Sequence, residues 1–220
     1  MTAPSSGTLP RASSLAGLRQ LARKRTPVER CEMCSRELAA DHQHLIEPEN
    51  RKLICACDAC AILFTTRAGT KMRRVPRRVR FLPNFRMTDV QWNSLMIPIE
   101  MAFFFHSSPH GRVVAFYPSP AGATESLLAL ETWNEVGSGN PVLAEMTPDV
   151  EALLVNRVGA SRGVPAAYYI VPIDECYKLV GLIRLHWRGL SGGTEVWREI
   201  TSYFAALKQR AEVPGEIADA

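Results

Sequence analysis

The sequence contains no run of about 18 apolar residues, the length a helix needs to cross the hydrocarbon core of a bilayer, so no membrane insertion is expected. Its first 25 residues, MTAPSSGTLPRASSLAGLRQLARKR, lack the unbroken apolar stretch of a secretory signal. Both absences point to the cytoplasm, where thiols stay reduced. Cysteine itself is scarce, at six in 220 residues. A chain of this length can bury enough surface to fold without disulfides. The segment from Pro118 to Thr124 has too little glycine for a phosphate loop and lacks the lysine such loops carry. No helix-turn-helix or RNA-binding signature is present, and the back half holds no recognisable catalytic set.

Charge is unevenly spread. Residues 1–86 hold 17 Lys+Arg against 7 Asp+Glu, a net +10, whereas residues 87–220 hold 9 against 15, a net −6. Two modules with different partners would produce this asymmetry, and so would two halves that neutralise each other across an internal interface. Composition divides the chain into a flexible N-terminal segment (1–29), a cysteine-rich finger (30–64), a basic connector (65–86), an α/β domain (87–212) and a flexible tail (213–220). Within the first segment, Leu15, Leu18 and Leu21 have the spacing of a short helix over Ser14 to Arg25.

In the α/β domain, Thr88 and Asp89 suit the start of a short helix reaching Leu95. Glu100 to Phe105 and Arg112 to Tyr117 read as strands joined by the turn HSSPHG. Glu125 to Leu130 is ambiguous, with a third strand as one reading. Thr132 to Val136 reads as a helix stopped at Gly137-Ser138-Gly139, and Val150 to Val155 and Ala167 to Val171 read as strands. Asp174 is placed as the cap of a helix running to about Trp187, broken by GLSGG. A final helix over Thr194 to Arg210 carries Trp197, Ile200, Phe204 and Leu207 on one stripe, with Trp187 and Trp197 expected in the core.

Five of the six cysteines fall within thirty residues: CEMC at Cys31 to Cys34 and CACDAC at Cys55 to Cys60. Two Cys-x-x-Cys turns can each give two sulfurs to one tetrahedral zinc ion, so Cys31, Cys34, Cys57 and Cys60 form the expected ligand set. Arg51 to Ile54 reads as a strand leading into the second pair, and Ala61 to Phe64 as a helix leading out. A knuckle, a hairpin and a pair at a helix N-terminus describe a treble-clef or zinc-ribbon-like finger, and the fold class is α+β, the finger followed by a compact mixed α/β domain. Cys55 is left over. It is an alternative to Cys57, a sulfur packed behind the ligands or a reactive thiol beside the metal, and His44 is a further alternative ligand. Iron is the competing metal, because rubredoxins also use two such pairs. Their knuckles typically continue into glycine, whereas Ser35 and Ala61 follow here, which favours zinc. A histidine-bearing nuclease finger is disfavoured, since Ala61 follows Cys60 and no matching Asn–His pair occurs. The basic residues of the connector, from Arg67 to Arg86, suit nucleic-acid phosphates. A solvated or protein-facing stretch is the simpler reading.

CEMC, DHQHL, RKLICACDACAILF, IPIEMAFFFHSSPHGRVVAFYPSPAGATESLL, DVEALLVNR and YYIVPIDECYKLVGLIRLHWRGLSGGTEVWREI together resemble an uncharacterised bacterial domain family over roughly residues 30–208. The genes of that family often lie beside those of nickel–iron uptake hydrogenases. The resemblance implies an accessory or maturation factor that contacts a hydrogenase subunit or another maturation protein. The family pattern includes Cys31, Cys34, Cys55, Cys57, Cys60 and His44.

Overall fold

The computed structural model describes residues 28–66, 69–127 and 130–213. The helix expected at Ser14 to Arg25, and nearly all of the two end segments expected to be flexible, lie outside the described residues. The chain first forms an antiparallel hairpin of β1 (Gln43–Glu47) and β2 (Lys52–Ala56). Asn50 shapes its turn: the side-chain oxygen accepts from the Lys52 N–H at 2.9 Å and the amide donates to Glu47 at 2.6 Å. Helix α1 (Asp58–Thr66) follows, and β3 (Arg73–Arg74) returns to the free edge of β1, completing a three-stranded sheet in the order β2-β1-β3.

β4 (Arg80–Phe81) then joins a second, six-stranded antiparallel sheet. The rest of that sheet is β5 (Met101–Ser107), β6 (Arg112–Ser119), β7 (Gly122–Ser126), β8 (Glu151–Asn156) and β9 (Ala167–Pro172), in the order β4-β9-β8-β5-β6-β7. The helices are α2 (Asp89–Ser94), α3 (Leu130–Gly139), α4 (Ile173–His186) and α5 (Gly193–Gln209). Thr88 and Gln91 close a capping box at the start of α2. The connector thus gives one short strand to each sheet.

β5 is apolar from Met101 to Phe105 because helices cover both of its faces. Phe103 and Phe105 face one core with Leu154, Leu179, Ile200 and Phe204. Ala102 and Phe104 face the other with Trp92 of α2 and Trp133 of α3. The finger hairpin is two-sided as well. Leu45, Ile54 and Ala56 bury against Cys31, Cys60 and Ala61 in a small core of their own. Ile46 and Leu53 turn the other way and join the core of the large sheet, as do Val75 and Val79.

The charge asymmetry is resolved along this seam. Arg51 pairs with Glu125 at 3.1 Å, Arg73 with the buried Asp149 at 3.1 Å, Arg78 with Glu212 at 2.7 Å and Arg80 with Glu145 at 2.5 Å. These four pairs join basic residues of the front half to acidic residues of the back half, while others, such as Arg77 with Asp41 and Arg210 with Glu175, stay within one half.

Four local expectations differ from the structure. Helix α4 begins at Ile173 with Pro172 before it, so Asp174 lies in its first turn and caps nothing beyond the adjacent Glu175 N–H. Helix α3 runs through Gly137 to Gly139 because Asn140 ends it, donating its side-chain amide to the Val136 carbonyl at 2.8 Å. The strand β7 begins at Gly122, ahead of the ambiguous stretch. On α5 the buried stripe is Val196, Ile200, Tyr203, Phe204 and Leu207. Trp197 is 38% exposed and donates its indole N–H to the Ser191 carbonyl. The turn before α5 needs glycine at Gly192: φ is +86°, and a Cβ would stand 2.8 Å from Val196 Cγ1.

Candidate metal centre

The first pair of cysteines sits in a tight knuckle. The Cys31 N–H donates to the Arg36 carbonyl at 2.8 Å and the Ser35 N–H to the Cys31 carbonyl at 2.8 Å. Arg30 and Glu37 close the base of the loop, through a backbone bridge and a 2.7 Å ion pair. Ser35 turns the chain with φ +60°, the left-handed backbone that glycine usually supplies. Serine therefore accepts the same turn here, and the missing glycine does not by itself separate zinc from iron.

The second pair opens α1. The Ala61 N–H donates to the Cys57 carbonyl at 2.8 Å, the first helical bond, which makes Cys57 the cap residue and puts Cys60 in the first turn. The partial positive charge of the helix N-terminus favours thiolates at both positions. The hairpin ties the two halves together: the Glu32 N–H donates to the Cys55 carbonyl at 2.9 Å, and the Cys55 N–H to the Glu32 carboxylate at 2.9 Å.

This architecture brings the sulfurs of Cys31, Cys34, Cys57 and Cys60 within 4.8 Å of one another, so the four could hold a metal ion. Cys34 and Cys57 stand 3.7 Å apart, and all are free thiols. Four thiolates at about 2.3 Å from a tetrahedral ion are separated by about 3.8 Å, so the set needs little adjustment to close on one. Cys31 and Cys60 are buried, while Cys34 is exposed. Burial pushes the Cys31 thiol up, but the backbone N–H groups of Cys57, Cys34 and Met33 more than offset it and bring it to about 6. Burial and the other cysteines push Cys60 up to about 12. Cys60 thus holds its proton unless a cation replaces it.

His44 and Cys55 fall outside this group. With His42 they form the other group of three or more such side chains among the described residues, again with donor atoms within 4.8 Å of one another. Hairpin register explains it. His44 pairs directly with Cys55 across β1 and β2, and His42 lies two residues back on the same face. Both rings are fixed. His44 Nδ1 lies 2.8 Å from an Asp174 carboxylate oxygen, and His42 Nδ1 lies 2.9 Å from the Ala39 carbonyl with Glu29 at 3.5 Å. The hydrogen bond to Asp174 raises His44 above the usual histidine range. Burial and the nearby Glu29 and Glu32 push the Cys55 thiol up, which is the opposite of an activated nucleophile. No sequence signal marked Asp174 as a partner for His44, because 130 residues separate the two.

The reactive side chains of the back half and the connector arginines have structural roles. Cys176 is fully buried in the main core, where burial raises its thiol well above the ordinary value. Glu175 pairs with Arg210 at 2.5 Å, and its carbonyl accepts from the Tyr203 hydroxyl. His110 Nδ1 lies 2.9 Å from the Ser107 hydroxyl, and the Ser108 hydroxyl donates to Asp149 at 2.6 Å. The connector arginines Arg73, Arg74, Arg77, Arg78 and Arg80 are engaged with groups of this chain. Among the described residues, no helix is long and apolar enough to cross a membrane.

No curated protein and no solved structure matches the chain. A family model matches residues 30–211, which takes in both cysteine pairs, both sheets and the last helix. By that match the chain belongs to a family of unknown function, DUF5947.

Proposed function

We propose that this protein is a zinc-binding, non-enzymatic accessory protein that acts through protein contacts, with a nickel–iron hydrogenase subunit or a hydrogenase maturation protein as its partner. The observation that carries the reading is the convergence of Cys31, Cys34, Cys57 and Cys60 in a finger too small to hold itself together by burial. Zinc supplies a redox-silent tetrahedral crosslink in such a site. The knuckle, the hairpin and the helix-borne second pair support assignment to the treble-clef type. Iron electron transfer is less well supported, because the second pair opens α1 and does not form a second knuckle. Nucleic-acid binding is weakened by the internal pairing of the connector arginines.

A hydrogenase partner is supported by the sequence resemblance, and a protein partner by exposed apolar side chains, among them Ile62 and Leu63 on α1. The test has two parts. Untagged protein purified without chelators is expected to carry tightly held zinc and to be colourless; thiolate-to-iron charge-transfer bands would select the electron-transfer reading. Affinity capture from cells that express a nickel–iron hydrogenase is expected to recover one of its subunits or a maturation protein. Capture that recovers neither would remove the accessory role.

A further inference from the structure

The cluster of His42, His44 and Cys55 is not used by the finger. It opens into a cleft of about 670 Å³ between the finger hairpin and the α/β domain, lined also by Glu29, Arg77, Asp174 and Tyr177. The two rings present themselves as ligands. An Nδ1–H committed to a carbonyl or a carboxylate leaves Nε2 with its lone pair, and outer partners of this kind hold metal-binding histidines in place. The Ala39 carbonyl does this for His42, and Asp174 does it for His44. The His42 side chain is only 7% exposed, and its Nε2 has no hydrogen-bond partner. A buried ring nitrogen without a partner is rare in folded proteins and calls for an explanation.

We infer that His42, His44 and Cys55 form a second metal site, distinct from the four-cysteine finger, that takes a borderline divalent transition ion of the zinc class and leaves one coordination position open to the cleft. Two imidazoles and one thiolate suit such an ion far better than calcium or magnesium. Three protein ligands with a free fourth position is the arrangement of exchangeable or reactive zinc sites, in contrast to closed structural ones. A tetrahedral ion with two nitrogens and one sulfur requires donor separations of about 3.3–3.6 Å, so donors already within 4.8 Å close on it by side-chain movements of about 1 Å. On binding, the Cys55 S–H bond breaks, sulfur keeps the electron pair and bonds the ion, and the proton leaves to solvent. Asp174 is a positioning residue that acts through His44. The inference does not rest on the accessory role.

The test is a Co2+ titration of the full-length protein with its finger already loaded with zinc, followed by thiolate-to-cobalt charge-transfer absorption and by total metal per chain. Wild type is expected to take up one further ion with a single-thiolate spectrum, and a chelator should strip that ion before the finger's. Cys55→Ser should abolish the charge-transfer band while the finger keeps its zinc. His42→Ala should weaken cobalt binding by more than the roughly 10–100-fold expected for Asp174→Asn, the loss of an outer partner. Asp174→Asn lies on α4, outside the finger, and remains informative if either hairpin variant fails to fold. A wild-type titration that stops at the finger's own ion overturns the inference. So does an extra ion bound equally well by Cys55→Ser, His42→Ala and Asp174→Asn, which would be adventitious. A finger found to hold iron would change the proposed function and leave this result standing.

Discussion

The finger and the sheet domain solve the same problem by different means. The finger buries six residues in its own core, Cys31, Leu45, Ile54, Ala56, Cys60 and Ala61, and two of them are cysteines. The larger core of the sheet domain buries 23, including Phe103, Phe105, Phe116 and Phe204. A handful of side chains cannot offset the entropy of ordering a segment some 35 residues long, so a metal-bound finger depends on its ion. The sheet domain has apolar burial on both faces of β5, so it is expected to fold without an ion. The two are nevertheless joined, because Ile46 and Leu53 of the hairpin belong to the larger core.

The largest effect expected from this contrast is removal of the ion proposed for the four cysteines. Structural zinc sites contribute on the order of 10 kcal/mol or more to the folding of small fingers. Strong chelation, or Cys31→Ser, should therefore unfold the finger while amides of β5 and β8 stay protected, as hydrogen exchange would read directly. Equal loss of protection in both regions would mean that the sheet domain depends on the ion too. The converse experiment is Phe103→Ala. This ring is fully buried and stacks on Phe116 with centroids 5.5 Å apart. Truncation should cost about 3–5 kcal/mol and lower the main thermal transition, while the finger keeps its metal. Between the two stands Ile46→Val, which removes one methylene at the seam. It should cost about 0.5–1.5 kcal/mol and lower both transitions together. A shift in only one transition would show that the seam is not shared.

Much of this division was legible in the chain. Cys-x-x-Cys spacing fixes the local geometry of each pair, while the convergence of the two pairs depends on the hairpin that brings Glu32 against Cys55. The apolar run Met101 to Phe105 and the Thr88 cap are local signals of the same kind. The His44–Cys55 pairing was also available, since counting back from the turn at residues 48–51 sets the two opposite each other. The partnerships that only tertiary packing decides were not legible. Asp174 looks like a helix cap until the fold sets His44 against it. Strands β3 and β4 have two residues each, too short for any alternation to register. Trp197 has the right helical spacing for the core, but Val196, one position earlier, faces inward.

The finest test of the contrast concerns backbone strain in the knuckle. Ser35 holds φ +60°, its side chain is exposed, and its carbonyl accepts from the Arg30 guanidinium at 3.1 Å. For an L-residue the left-handed conformation costs about 1–2 kcal/mol. Glycine escapes that cost but gives the unfolded chain more freedom, which returns about 0.5–1 kcal/mol. Ser35→Gly keeps the carbonyl and its hydrogen bond, so the balance should favour the variant by roughly 0.5–1 kcal/mol. Ser35→Val should move the other way, because a β-branched side chain tolerates this backbone poorly. Resistance of the finger's ion to a competing chelator reads both changes, and the main thermal transition should not move in either variant. If glycine made the ion easier to remove, the knuckle would not be strained at Ser35, and the four sulfurs would owe their positions to the hairpin and α1.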